Sequence, residues 1–308
     1  MKEHLQNSKY AAVDIGGTNT RFAVFDKYGN IIKKSKTQTD YLSAEKTCDW
    51  IIEQIKKYEI KYLALCIPGP SDYQKGIVLK SPNLAGSWVN FDVRSYLMQT
   101  STLSDIVFEN DANVMALANH VKANGFNSDK ISQFFTISTG FGAGLIIDNK
   151  IYHGRDYYAQ EIAQLPASKI GFYQEHRLKN PYALELHCSG SGIETKAKAL
   201  SLANSAKEVF ELAKNNDAKA MNLIKEASDV LTNIFATCAA LLSPHNFYIG
   251  GSLALAQKYF VIDAFEKAKL ISDPNHFKDV KLIFDQHGDD SALIGLYYLT
   301  KMRNNMDN

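Results

Sequence analysis

A short apolar strand that runs into glycine and turns straight back occurs twice in this chain, near residues 16 and 140. The first copy is Tyr10-Ala-Ala-Val-Asp-Ile15, ending in Gly16-Gly17, with Thr20 to Phe25 alternating like a returning strand. Asn30 to Thr37 predicts a third strand across the turn Asp26-Lys-Tyr-Gly29. In the second copy Phe134 to Ser138 is a strand, Thr139-Gly-Phe-Gly-Ala-Gly144 a glycine-rich turn, and Leu145 to Ile147 the start of the return. Asp148-Asn149 then turns the chain into Lys150 to His153. The repetition predicts two similar half-sheets facing one another, each offering a turn to a common cleft.

Helices fill the space between these strands. Ser43 to Tyr58 carries Cys48, Ile51, Ile52 and Ile55 at helical spacing, with Ser43 as N-cap. Tyr62 to Ile67 is a strand stopped by Pro68-Gly-Pro70, Ile106 to Phe108 another, and Asp111 to Val121 a helix. After Pro166 the chain is mainly helical. Ala218 to Leu242 keeps the 3.6 period throughout, with Asp217 as N-cap and Pro244 beyond its end. Phe247-Tyr-Ile249 and Val280 to Phe284 are strands, Gly250-Gly251-Ser252 opens a helix, and Ser291 to Leu299 closes the chain. The order of elements is α/β or mixed α+β.

Composition narrows the function classes. With 308 residues the chain has room for two domains of ordinary size. Its 34 basic and 33 acidic residues leave no global basic field for nucleic acid or anionic lipid. Apolar stretches such as Phe235 to Leu242 fall short of the roughly 18–20 residues of a membrane span. Met1 to Tyr10 has no apolar signal core, so a cytoplasmic location is expected. Cys48, Cys66, Cys188 and Cys238 form no C-x-x-C pair and read as reduced, mostly buried small residues.

Four motifs carry chemistry. In Asp14-Ile-Gly-Gly-Thr-Asn-Thr20, adjacent glycines let backbone N–H groups approach a phosphate, Thr18 adds a hydroxyl, and Asp14 is a hard oxygen ligand for Mg2+, directly or through water. The alternative is an ordinary Gly-Gly hairpin with Asp14 solvated. Ser138-Thr-Gly-Phe-Gly-Ala-Gly144 is a second such turn. Ile249-Gly-Gly-Ser252 lets backbone approach an adenine or ribose, or simply packs a helix tightly on a strand. In Phe108-Glu-Asn-Asp-Ala-Asn113, Asn110 can hydrogen-bond a sugar hydroxyl and Asp111 can take its proton; the alternative is that they cap the helix.

Taken with Pro68-Gly-Pro70 and Ser81-Pro-Asn-Leu84 with Trp88, these motifs stand in the order and spacing of the ROK family of repressors, open-reading-frame proteins and sugar kinases, and the chain resembles that family over nearly its whole length. The resemblance implies an α/β, two-lobed actin-like ATPase (ribonuclease H-like) fold with mixed sheets and a cleft between lobes. The smaller lobe would comprise 1–112 plus 290–308, and the larger 113–289. It implies an ATP-dependent hexose kinase, with ATP and Mg2+ as cofactors and a homodimer as assembly. Gly16, Gly17, Thr18, Thr139 and Gly140 would cradle the phosphates, Asp14 would lie near Mg2+, and Gly250 and Gly251 would border the adenosine. Asn83, Asn110, Glu161, Gln164 and Glu185 would hold the sugar, with Asp111 as catalytic base.

Two departures stand out. The family's E-x-G-H motif reads Glu161-Ile-Ala-Gln164 here, and the cysteine-rich zinc motif ahead of Glu185 is missing, so no zinc site is expected. The short segments lean to N-acetylmannosamine as substrate, with glucose next and fructose third. Only thirteen residues precede Asp14, too few for a helix-turn-helix, which predicts no DNA contact. The competing class is a catalytically weak or inactive sugar sensor without its own DNA-binding domain.

Overall fold

The structure, a computed structural model, describes residues 10–81, 84–100, 102–176 and 178–304. It falls into two compact units, Met1–Ala123 with Asp289–Asn308, and Asn124–Gly288.

The first unit is built on a five-stranded sheet ordered β3-β2-β1-β4-β8. Strands β1 (Tyr10–Ile15), β2 (Asn19–Phe25) and β3 (Ile31–Gln38) form an antiparallel meander. Strands β4 (Tyr62–Cys66) and β8 (Asp105–Glu109) add to the other side of β1 in parallel. Parallel strands need covering on both faces. Helix α1 (Ala44–Tyr58) buries Cys48, Ile51 and Ile55, and its N-cap Ser43 accepts from Lys46 N–H. Short strands β5 (Ser71–Asp72), β6 (Ile77–Val78) and β7 (Phe91–Asp92) form a separate small sheet, followed by helix α2 (Val93–Leu97). Helix α3 (Asp111–Asn124) packs so closely on the C-terminal helix that a Cβ on Gly295 would lie 1.8 Å from the Val114 carbonyl oxygen.

The second unit repeats the plan. Its sheet, ordered β11-β10-β9-β12-β13, again joins an antiparallel meander to two parallel strands. The meander is β9 (Ser132–Ile137), β10 (Phe141–Ile147) and β11 (Lys150–Ile151). Helices α4 (Leu184–Cys188), α5 (Gly190–Ala199), α6 (Ala206–Lys214) and α7 (Ala218–Leu242) follow, then β12 (Asn246–Gly250), α8 (Ser252–Ala256), α9 (Lys258–Ile271) and β13 (Lys281–Phe284). The 25-residue α7 carries the apolar stripe read from its sequence, and Phe235 meets Phe135, Phe247 and Phe265 in an aromatic cluster. Helix α10 (Ser291–Arg303) returns to the first unit.

Among the boundaries that differ from the sequence reading, two bear on the site. The second glycine turn is only Ser138 to Gly140, because Phe141, Gly142, Ala143 and Gly144 already pair with β9. Phe141 and Ala143 alternate into the core, a period the intervening glycines conceal. The break expected after residue 112 falls inside α3, which stays with the first unit to Ala123 because its face is packed on α10. Cys48, Cys66 and Cys188 are buried and Cys238 half-buried; burial pushes the Cys48 and Cys238 thiols up to about 12. Among the described residues no helix is long and apolar enough to cross a membrane.

Candidate functional site

In the first unit the parallel strands end in one row. Register places Asp14 of β1 opposite Cys66 of β4, and Cys66 opposite Glu109 of β8. Carboxyl ends of parallel strands are where open α/β sheets bind ligands. From Asp14 the chain enters the first glycine turn. Gly16 N–H donates to the Asn19 carbonyl at 3.0 Å, and a Cβ on Gly16 would meet that oxygen at 3.1 Å. Thr39, just past β3, straps the turn: its hydroxyl donates to Gly16 O at 2.7 Å and its N–H to Thr18 O at 3.0 Å. Thr18 is left exposed.

Asp14 is held by a residue to which the sequence reading gave no role. The hairpin register puts Arg21 directly across from it, and Arg21 Nε and Nη2 both donate to Asp14 Oδ2, Nε at 3.1 Å. Arg21 also donates to the Asp289 carbonyl. Counting residues across a four-residue turn would have found this pair.

The β8–α3 corner is braced by Glu109, which is buried and accepts from Asn110 N–H at 2.8 Å and from Asn113 Nδ2 at 2.9 Å. Asn110 does cap the helix, its Oδ1 accepting from Ala112 N–H at 2.8 Å, while its amide nitrogen faces the Tyr73 hydroxyl at 3.4 Å. Asp111 is the first residue of α3, with its carboxyl open to solvent yet set among densely packed protein. Poor solvation of its charge raises it above the ordinary carboxylate value, and the Asp14 charge adds to the rise; the Ala112 N–H and Arg21 oppose it. Asp14 and Asp111 are thus close enough to sense each other.

The second unit offers backbone where the first offers charge. Ser138 N–H closes the turn on Gly140 O at 3.0 Å. Gly190 and Ser191 N–H groups, at the start of α5, donate to the Ser138 and Thr139 carbonyls at 2.8 and 2.9 Å. A Cβ on Gly190 would lie 2.7 Å from Ser138 O, so only glycine permits this approach. Glu185 is 7% exposed and its Oε2 accepts from Phe141 N–H at 2.9 Å, directly behind the turn. Thr139 remains exposed at the tip.

Gly250 ends β12 opposite Thr136, and Gly251 adopts φ +90° with a virtual Cβ 2.4 Å from Ile137 O. Tight packing on β9 therefore requires glycine at Gly251 whatever else it does. Glu161 and Gln164 are exposed, Gln164 at the end of a short 3-10 turn (Ile162–Gln164) whose entry is Glu161. The Gln164 carbonyl accepts from Asn180 Nδ2 at 2.7 Å. Asn83 lies outside the described residues. Among the described residues no cluster of three or more His, Cys, Asp or Glu is placed to hold a metal ion. A single carboxylate such as Asp14 still suits a hard cation, since both Arg21 bonds fall on Oδ2. A cavity of about 490 Å3 in the second unit, lined by Ser168, Lys225, Glu226, Asp229, Asn233 and Lys267 among others, contains none of these residues.

A sequence model of the ROK family matches residues 10–303. The chain is 26% identical over 326 aligned positions to the glucokinase of Halalkalibacterium halodurans, covering 96% of each. It is 26% identical over 302 positions to the N-acetylmannosamine kinase of Shigella boydii, covering 94% of this chain and 97% of that one. The ROK hexokinase of Thermus thermophilus superposes with a TM-score of 0.80 at 22% identity, covering 96% of this chain and 99% of that one. That likeness shows the fold, two units each built on a mixed sheet.

Proposed function

The chain belongs to the ROK family, and from that premise and the carboxylates that end β1 and open α3 we propose that it is an ATP-dependent kinase of a hexose. The observation that carries the reading is Asp111, a solvent-open carboxylate of raised pKa on the first turn of α3, beside Asp14. In a loose phosphoryl-transfer transition state the attacking hydroxyl loses its proton late. Asp111 orients the sugar's primary hydroxyl and takes that proton. The amide of Asn110 holds a neighbouring hydroxyl, and Glu161, Gln164, Glu185 and Asn83 would complete the sugar's contacts. The Gly16–Thr18 and Thr139–Gly140 turns would take the nucleotide phosphates, and Gly250 and Gly251 the adenosine.

Mg2+ bound with ATP would neutralise phosphate charge. Asp14 is the residue that would hold it, directly or through water, since both Arg21 bonds fall on Oδ2. Similarity to proteins named N-acetylmannosamine kinase and glucokinase supports these two sugars as first candidates.

The test is ADP release by purified protein with Mg-ATP across N-acetylmannosamine, glucose, fructose, mannose, N-acetylglucosamine and a no-sugar blank. One sugar well above the blank is the expected result. Silence across the panel from folded, ATP-binding protein would sink the kinase reading for these sugars and leave the sugar sensor.

A further inference from the structure

Helix α4 is five residues long, and its N-cap, Ala183, offers no side-chain cap. A helix this short does not hold itself. All five of its residues are nevertheless buried, and Glu185 on it braces the second glycine turn. Something outside the helix must fix it.

Leu184 and Cys188 seat it in the hydrophobic core of the second unit, and a polar group at His187 ties it to its neighbours. His187 is 1% exposed. Its Nε2 lies 2.9 Å from the Pro181 carbonyl and its Nδ1 2.9 Å from Glu226 Oε1. Lys196, on α5, donates to the same Glu226 oxygen and lies 3.2 Å from His187 Nδ1. Four segments meet here: the loop before α4, α4 itself, α5 and α7. Burial opposes the Glu226 charge, but the His187 and Lys196 hydrogen bonds outweigh it and hold that carboxyl down to about 2. Burial lowers the Lys196 ammonium, and Glu226 opposes that fall. The buried Lys196 ammonium is therefore left without its counter-charge if Glu226 is removed. The α4–α5 corner is equally rigid in backbone: a Cβ on Gly192 would sit 2.3 Å from Leu186 O and 2.4 Å from Glu185 O.

We propose that His187, clamped between the Pro181 carbonyl and the Glu226–Lys196 pair, is a positioning residue that fixes α4 so that Glu185 and the α5 N-terminus hold the Ser138–Gly140 turn in its nucleotide-binding shape. The chain of contacts is continuous: Pro181 and Glu226 to His187, one residue of α4 to Glu185, and Glu185 Oε2 to Phe141 N–H. The proposal rests on the kinase reading only for what the turn binds.

The test is amide hydrogen exchange at Phe141 in the free protein, read beside calorimetric affinity for Mg-ADP. Glu185→Ala removes the acceptor and with it the brace, His187→Gln loosens the clamp, and the double variant combines them. Each single variant is expected to speed Phe141 exchange and weaken Mg-ADP by about fivefold, the equivalent of one net hydrogen bond. The double variant is expected to do no more than the larger single, because both act along one path. Amides of β12 are expected to stay at wild-type rates. Three outcomes overturn the proposal: Phe141 exchange unchanged in His187→Gln, multiplicative effects in the double variant, or an equal rise in β12, which would mean general loosening. If His187→Gln does not fold, Glu226→Gln takes its place with the same expectations. Phe141 exchange needs no turnover, so a chain silent with every sugar still decides the point.

Discussion

The two sheets share one strand order, yet their glycine turns are held in opposite ways. In the first unit the turn is strapped from the neighbouring strand by Thr39, and the row behind it is charged: Asp14 with Arg21, then Glu109 and Asp111. In the second unit the turn is carried on a helix corner, by backbone N–H groups of Gly190 and Ser191 and by one buried carboxylate, Glu185. The same topology therefore supports two kinds of surface. One presents side-chain charge that can move a proton. The other presents a fixed backbone shape whose geometry depends on how well α4 and α5 are seated. Damage to the first should appear in turnover, and damage to the second in binding and stability.

The largest expected effect separates these roles. Asp111→Ala should keep its far-UV circular dichroism and lower sugar-dependent ADP release about a thousandfold, within the range for loss of a general base. Survival of turnover would remove Asp111 from the mechanism and with it the contrast between the units. Next come matched glycine substitutions. Gly251→Ala places a Cβ against the Ile137 carbonyl at φ +90° and should destabilise by about 3 kcal/mol. Gly16→Ala meets only Asn19 O at 3.1 Å and should cost about 1 kcal/mol. Urea midpoints check both, and equal losses would mean that the Gly16 turn and the Gly251 corner are equally tight.

Helix caps give a smaller difference. Asp217 Oδ1 accepts from Ala220 N–H at 2.9 Å, and Asp217→Ala should cost about 1 kcal/mol. Ser43 makes its bond to Lys46 N–H at 3.3 Å, and Ser43→Ala should cost less in the same assay. The smallest effect follows from the raised Asp111 pKa. A carboxyl raised in the folded state destabilises it when ionised, so Asp111→Asn should stabilise the protein near pH 7. The gain should vanish as pH falls below the unfolded value of about 3.9. Solvent reaches this carboxyl, so screening keeps the gain below about 1 kcal/mol. Thermal melts at pH 7 and pH 3.5 read its sign.

Much of this architecture was legible in residue order. The two hairpins, the helix Ala218–Leu242 with its Asp217 cap and the strand Phe247-Tyr-Ile249 all follow from period and punctuation, because local patterns decide them. Glu185 was legible as a notable carboxylate, but its direction was not. Its neighbour Phe141 is 44 residues away, and only the packing of α4 brings the two together. Helix α4 itself was invisible, since Leu184 to Cys188 is too short for any period to show. Arg21 lay in plain view seven residues from Asp14, and its role needed only the hairpin register.

Each unit also contains its own thiols, all buried but Cys238, which is half-buried. Cys48 and Cys66 belong to the first unit, Cys188 and Cys238 to the second. Cys66 sits in the row between Asp14 and Glu109, and burial together with the Asp14, Asp111 and Glu109 charges pushes its thiol well up. In the closed fold such a thiol ignores an alkylating reagent. Modification at Cys66 or at Cys188 therefore waits for local opening, and its rate becomes a clock for the opening of that unit alone. Ligand that binds one unit should slow that unit's clock first.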